Sequence, residues 1–354
     1  MPRKSPSRPA RPPRARPGKR TPGSALLRVC LVSYAALLTI WTAVSVAGPD
    51  DWWLSAALMY APAAALLLPM FLLVPWALVS ERRQLLTLLA LGLWIVWPLM
   101  GLAVHPLTAA SPAGGRHLRV MTYNVKWGRR HVPEILAEIE RWNPDLVLMQ
   151  DSGPLFTRGD MGGLRGSWRM HSGAEYAIVS RLRYSDPLVI HLDDTQPTGY
   201  CTSWRVEGRP SFQAVNVHLQ SPRRGLMALA YRGEAGSTKM AQNADVRLVE
   251  GAALMRYVSG LKGPAIICGD LNSPMQSRVC QMLGRAGFRD AFDEAGNGYG
   301  YTYGHDTAVR LSYVRIDHIL VSQEWRVLAC HTGGKLGSDH RPVIADLWLP
   351  SSGQ

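Results

Sequence analysis

Three long apolar runs, all before residue 105, set the first limit on what this chain can fold into. They extend from about Val29 to Ala47, from Leu54 to Val79 and from Leu85 to Val104. Each reaches the roughly 20 residues that a helix needs to cross the hydrocarbon core of a bilayer. The near absence of charge along them argues against a buried helical hairpin of a soluble protein. Ser45-Val46-Ala47 has the small-residue pattern of a signal-peptide cleavage site, but two further apolar runs follow it. Pro62, Pro69 and Pro75 should kink the second run, which neighbouring membrane helices tolerate. Trp41, Trp52, Trp53 and Trp76 suit the interfacial layer. Three transmembrane helices over residues 25–104 are the expectation.

Charge orients these spans. The chain has 354 residues and a formal net charge of +13. The first twenty residues carry eight cations and no acid, which leaves +5 for the rest. This Pro/Arg tail, residues 1–24, cannot bury a core and should be disordered. Such a tail could bind nucleic acid, but ahead of an apolar span it fits anionic lipid on the cytoplasmic side better. The loop Gly48-Pro49-Asp50-Asp51 has no cation, whereas Ser80-Glu81-Arg82-Arg83-Gln84 has two. The excess of Lys and Arg on cytoplasmic loops then puts the N-terminus and the second loop inside. Three crossings leave everything after residue 104 outside, in a multi-pass protein of the cell membrane. Five cysteines without a Cys-x-x-Cys pair argue against zinc and favour isolated buried thiols over disulfides.

Residues 105–116 are rich in Pro, Gly, Ala and Ser and read as a linker. A soluble pattern follows over 117–350. Leu118–Val125, Asp145–Gln150, Ala177–Ser180, Phe212–Leu219, Ala265–Cys268 and Ile316–Val321 read as strands. Pro133–Trp142 and Ala244–Ser259 read as helices, and Ser221–Asn243 as a long basic insertion. This mixed order points to one α/β sandwich.

The strands end on polar residues, where a rigid sheet can aim side chains at one point. Those ends are Asn124, Asp151, Asn216 with His218, and Asp270 with Asn272. Asp317 and His318 stand in Arg-Ile-Asp-His-Ile, and Asp339 and His340 in Ser-Asp-His-Arg-Pro-Val. Carboxylates and amides are the oxygen donors Mg²⁺ prefers, and two imidazoles supply proton transfer and donors to a phosphoryl group. No Ser or Cys sits in a nucleophile-elbow setting and there is no Gly-rich phosphate loop. Metal-assisted hydrolysis of a phosphate ester by water is the chemistry that fits. Taken singly, the residues are ambiguous. Asn124 is equally a strand-end turn former, Asp151 a helix cap, Asp270–Asn272 an Asx turn and His218 a core histidine. Asn216 reads as structural. His318 follows Asp317 directly along a strand, so it points away and is left out of the site.

In this order, the motifs resemble those of the endonuclease/exonuclease/phosphatase superfamily with the DNase I-like fold, over residues 117–349. Gly-Asp-Leu-Asn at 269–272 together with Ser-Asp-His-Arg-Pro-Val at 338–343 carries most of the likeness. The resemblance implies a four-layered αββα sandwich with the site at one edge of two sheets. It implies metal ligation by Asn124, Asp151 and Asp339, with Mg²⁺ as the cofactor and Mn²⁺ as the alternative. It implies catalytic roles for His218, Asp270, Asn272, Asp317 and His340, with Asp317 orienting His340. Asp151 departs from the pattern, because the family has Glu after the Gln; the shorter side chain puts metal affinity in question. Beside the site, Arg223 and Arg224 are candidates to bind a second phosphate, or are simply a solvated basic surface.

The membrane segment ahead of such a domain is similar to the VanJ-type membrane members of the superfamily. That likeness implies a lipid-linked substrate, an undecaprenyl-type pyrophosphate, met at the bilayer surface. A surface-anchored nuclease acting on DNA or RNA is the second reading, and a catalytically inactive binding module the third.

Overall fold

The computed structural model describes residues 22–48, 50, 52–106, 114–127, 131–153, 164, 166–192, 199–204, 211–306, 310–335 and 337–350. The basic tail up to residue 21 and linker residues 107–113 lie outside these. Helix α1 (Pro22–Ala47) opens the apolar region. The second run is not one kinked helix, as its hydropathy suggests. It divides into α2 (Trp53–Leu58), a 3₁₀ turn (Ala63–Leu67) and α3 (Met70–Ser80). Pro62 and Pro69 stand at the two breaks, where each removes a backbone donor and clashes with the preceding turn. Helix α4 (Gln84–Trp94) then runs into a π turn (Ile95–Leu99) holding Pro98.

Two segments, Gly23–Val46 and Ala63–Ser80, are long and apolar enough to cross a membrane; Gln84–Leu99 is apolar but shorter. Leu27, Leu31, Leu38, Leu73, Leu88, Leu91 and Ile95 bury one face of each of α1, α3 and α4 in a common core. The outward faces are apolar too, with Val29, Phe71, Leu72, Val79 and Leu86 exposed.

The rest is a two-sheet α/β sandwich. One sheet has the order β11-β12-β1-β2-β4-β3 and the other β5-β6-β7-β8-β10-β9. In the first lie β1 (Gly115–Asn124), β2 (Leu146–Gln150), β3 (Arg169–Gly173), β4 (Tyr176–Ser180), β11 (Arg326–Thr332) and β12 (Val343–Pro350). In the second lie β5 (Leu188–Ile190), β6 (Gly199–Trp204), β7 (Phe212–His218), β8 (Ala265–Asp270), β9 (Arg289–Asp290) and β10 (Asp317–Val321). Successive side chains of a strand face opposite sides of its sheet, so a strand buried on both sides needs an unbroken apolar run. Val120, Leu146, Leu148, Phe212, Ile266 and Ile319 meet between the sheets. Their strand neighbours Met121, Val147 and Met149 pack instead with Ile135 and Ile139 of helix α5 (Val132–Trp142). On the other outer face, Val215, Val217 and Ile267 meet Leu254 and Val258 of α7 (Ser237–Ser259) and Val279 and Leu283 of α8 (Arg278–Arg285). The order is helix, sheet, sheet, helix. A short helix α9 (Ala291–Ala295) follows β9.

The expected basic loop over 221–243 is helical. It forms α6 (Arg223–Arg232), a 3₁₀ turn and the first turns of α7. Gly225 makes this packing work: a Cβ there would lie 2.7 Å from Met240 Sδ and 3.0 Å from Met240 Cα, so any side chain would part α6 from α7.

Strand direction places the functional edge. β1 runs parallel to β2 and β7 parallel to β8, so Asn124, Gln150, His218 and Asp270 all stand at C-terminal strand ends. β10 runs antiparallel to β8 and pairs Asp317 with Asp270, bringing its first residue to the same edge.

Candidate active site

Asp270 lies at the centre. It is buried, and its Oδ2 accepts from Asn124 Nδ2 at 3.0 Å across the two sheets. The same oxygen lies 3.5 Å from His218 Nε2 and 3.7 Å from His340 Nε2. Gly269 before it has φ +154°, and a Cβ there would fall 1.9 Å from Val217 O, so only glycine lets β8 lie this close to the His218 strand. The following turn is pinned by its own polar groups. Asn272 N donates to Asp270 Oδ1 at 2.9 Å, and Asn272 Nδ2 donates to Leu219 O at 2.8 Å.

Each imidazole has a carboxylate behind it. His340 Nδ1 sits 2.8 Å from Asp317 Oδ2, which fixes the ring with Nε2 towards Asp270. His218 Nδ1 sits 3.1 Å from Glu175 Oε1 and 3.8 Å from Asp151 Oδ1. Burial disfavours the charged form of both rings, but the carboxylates outweigh it. Glu175, Asp270 and Asp151 hold His218 up at about 10, and Asp317 and Asp270 hold His340 up at about 9. Burial and the adjacent Asp317 charge push the Asp270 carboxyl up to about 6. Burial also raises Asp151. For Glu175, burial is outweighed by the hydrogen bond from His218, and its carboxyl is lowered.

Asn124, Asp151, His218, Asp270, Asn272, Asp339 and His340 line one cavity of about 700 Å³. Asp317 stands behind His340 and not on the wall. Arg223 lines the cavity from the first turn of α6; Arg224 beside it is exposed and does not. Tyr303 also lines it and packs on His340, with ring centres 4.9 Å apart. Asn216, as expected, is structural: it is buried between the sheets, accepting from Gln150 Nε2 at 2.7 Å and donating to Met149 O at 3.0 Å. His318 points to the far side, between Asp290 and Ser273 O.

Two residues escaped the sequence reading. Glu175 follows Ala174, a left-handed residue at φ +50° in the short turn from β3 to β4, and no apolar run ends there to flag it. Lys126 bridges Asp339 Oδ2 at 2.7 Å and Asp306 Oδ2 at 2.9 Å. A Lys two residues after a strand-end Asn carries no signal by itself.

The donors fit a hard divalent cation. Oxygen and imidazole atoms of Asp151, Glu175 and His218 lie within 4.8 Å of one another, as do those of Asp270, Asp317 and His340. Asp317 Oδ1 is buried without a hydrogen-bond partner among the described residues, which marks unspent acceptor capacity beside the cavity.

Residues 121–340 match the endonuclease/exonuclease/phosphatase family. No curated protein matches the sequence. Solved structures share the fold. Truncated TDP2 of Caenorhabditis elegans is 18% identical with a TM-score of 0.50, over 66% of this chain and 98% of that one. A mannosyl-6-phosphatase of Bacteroides thetaiotaomicron is 16% identical with a TM-score of 0.48, over 65% and 99%. The Neisseria 3′ phosphatase NExo, bound to a product DNA hairpin, is 20% identical with a TM-score of 0.47, over 64% and 98%. Two sheets that gather carboxylates, amides and paired histidines at one edge, in a chain matched across that whole region, place this protein in the endonuclease/exonuclease/phosphatase family of metal-dependent phosphoesterases.

Proposed function

We propose that the protein hydrolyses a phosphate or pyrophosphate ester carried by a lipid, at the outer surface of the membrane that its N-terminal helices span, as a VanJ-like member of its family. The observation that carries this reading is the mixed lining of the cavity. One end is His218, Asp270 and His340, and the other wall is Leu226, Met227 and Ala230 of α6 with Tyr60 of the apolar N-terminal region. A headgroup meets the polar end while an apolar chain lies along α6. The cavity also carries Lys126, Arg223, Trp127 and Tyr303, groups that a nucleic acid would use, so it is the apolar face of α6 that favours a lipid.

Asn124, Asp151 and Asp339 are the residues that would hold a divalent cation, with Glu175 beside them, and oxygen donors favour Mg²⁺ over softer ions. When bound, the ion supplies charge neutralisation at the phosphoryl group. The protein's own groups do the rest. The protonated rings of His218 and His340 donate to phosphoryl oxygens and to the departing group. Asp270, ionised near neutral pH, takes the proton of the attacking water. Arg223, on the cavity wall, is the candidate to bind the second phosphate of a pyrophosphate.

The test offers full-length protein in detergent a prenyl pyrophosphate, a phospholipid, and single-stranded and duplex DNA, with Mg²⁺ or EDTA. Phosphate release from the prenyl substrate, abolished by EDTA, is the expected result. DNA cleavage with no action on the lipids would replace the proposal with the nuclease reading.

A further inference from the structure

We propose that Tyr60, carried by the turn after α2 in the apolar N-terminal region, is a positioning residue of the active site, whose hydroxyl holds Asn272 in the conformation that aims Asp270. The inference rests on the phosphoesterase reading of the Asp270–Asn272 turn and not on the lipid reading.

Asn272 adopts a left-handed backbone, φ +47°, a region that Asn tolerates better than other L residues but that still needs bonds to hold it against the right-handed alternative. Three bonds impose it. Two are internal to the catalytic domain, from Asn272 N to Asp270 Oδ1 and from Asn272 Nδ2 to Leu219 O. The third comes from the other end of the chain: Tyr60 OH donates to Asn272 O at 2.7 Å. This oxygen belongs to the peptide that leads out of the turn. Freeing it lets residue 272 relax towards the right-handed region and rotates the Asp270 carboxylate away from Asn124, His218 and His340.

Tyr60 is itself held in place. It is buried with Ala56, Met59, Met240, Ala244, Val314 and Ile316, and the Arg247 guanidinium lies 5.6 Å from its ring centre. Close by, Arg278 N donates to Asp50 Oδ2 at 2.8 Å, a second clamp between the α1–α2 loop and the catalytic domain. Asp50 before α2 and Tyr60 after it therefore tie this short helix to the catalytic domain.

The experiment compares full-length protein with Tyr60→Phe, which keeps the ring and removes only the hydroxyl. Amide exchange of residues 271–273 is followed by mass spectrometry, and turnover is measured on p-nitrophenyl phosphate and its bis ester, probes without a lipid chain. Expected are exchange at 271–273 faster by about tenfold and kcat lower by about tenfold, equivalent to ~1.4 kcal/mol, with KM and the melting midpoint unchanged. In an Asp270→Asn background the same Tyr60→Phe change should have little further effect on kcat, because the carboxylate that the turn aims is gone. Unchanged exchange at 271–273 would overturn the proposal even if neither probe is turned over. An equal drop in kcat with and without the Asp270 carboxylate would also overturn it. Failure of the lipid substrate alone would leave these readouts standing.

Discussion

His218 and His340 present the same ring nitrogen to one carboxylate oxygen, yet different partners stand behind them. His340 is oriented by buried Asp317, and His218 by half-buried Glu175 together with Asp151. Asp317→Asn keeps the shape but removes the charge that fixes the ring. Because general acid–base catalysis contributes roughly 10²–10⁴-fold, kcat should fall by about that factor with KM little changed, as steady-state kinetics would show. The pH profile follows from the same groups. Asp270, raised to about 6, must be ionised to take a proton, so kcat/KM rises with pH through about 6. His340 and His218, at about 9 and about 10, must be protonated to donate, so the rate falls as pH passes about 9. Glu175→Gln removes the hydrogen-bonded carboxylate that raises His218 and should pull the alkaline limb to lower pH without moving the acid limb. An alkaline limb that stays put although NMR titration shows the His218 ring to have dropped below His340 would take His218 out of the proton inventory. Glu175 was invisible in the sequence because turns leave no periodic trace. Asn124, His218 and Asp270 were visible because each closes an apolar run.

Elements were legible where hydropathy and packing agree. β2, β4, β7, β8 and β10, and β1 from Val120 onward, are buried on both faces, and their apolar runs say so. Hydropathy misleads where two apolar segments do different work. Residues 54–79 look like one span, but Pro62 and Pro69 divide them, and α2 packs on α7 of the catalytic domain instead of joining the helical bundle. Residues 223–232 look like a loop because their cations and glycines conceal that Leu226, Met227 and Ala230 share a face along the cavity. Met227→Glu, at an exposed position on that face, should therefore raise KM for a lipid-linked substrate by about tenfold while p-nitrophenyl phosphate hydrolysis stays unchanged. The junction of β9, α9 and β10 makes a separate stability prediction. Asp290 accepts from Arg315 Nη1 at 2.6 Å, lies 2.8 Å from His318 Nδ1, and caps α9 through Phe292 N and Asp293 N. Although burial disfavours its charge, Arg315 and these bonds hold its carboxyl well below the usual range. A depressed carboxylate stabilises the fold above its unfolded value, and that stability is lost as pH falls through the folded one. Asp290→Asn should cost ~3–5 kcal/mol at pH 7 by leaving Arg315 short of a buried partner. The gap to the parent protein should shrink below pH ~4 in urea melts.

At the scale of the molecule, the contacts sort by which end of the apolar bundle they occupy. Asp50 and Tyr60 reach Arg278 and Asn272, Tyr301 OH donates to Met100 O at 2.7 Å, and Ala103 pairs with Gly298. These contacts join the catalytic domain to the α1–α2 loop, to the turn after α2 and to the residues that follow the π turn. Arg28 and Glu81 are paired at the opposite end, where α1 begins and α3 turns into α4. If α1, α3 and α4 cross a bilayer, the loop with two acids and no cation and the catalytic domain share one side, and Arg82 and Arg83 lie on the other. On the proposed reading, the excess of cations in the other loop would put that catalytic side outside. Thiol labelling decides the orientation, since Cys201, Cys268, Cys280 and Cys330 are buried and Cys30 lies within α1. Leu311→Cys lies on the exposed surface of the catalytic domain, and Arg82→Cys on the exposed α3–α4 turn. In intact cells, a charged maleimide that cannot cross the membrane should modify the first and spare the second. Lysed cells should label both. The reverse pattern in intact cells would put the catalytic cavity on the cytoplasmic side and restrict its substrates to lipid phosphates of the inner leaflet.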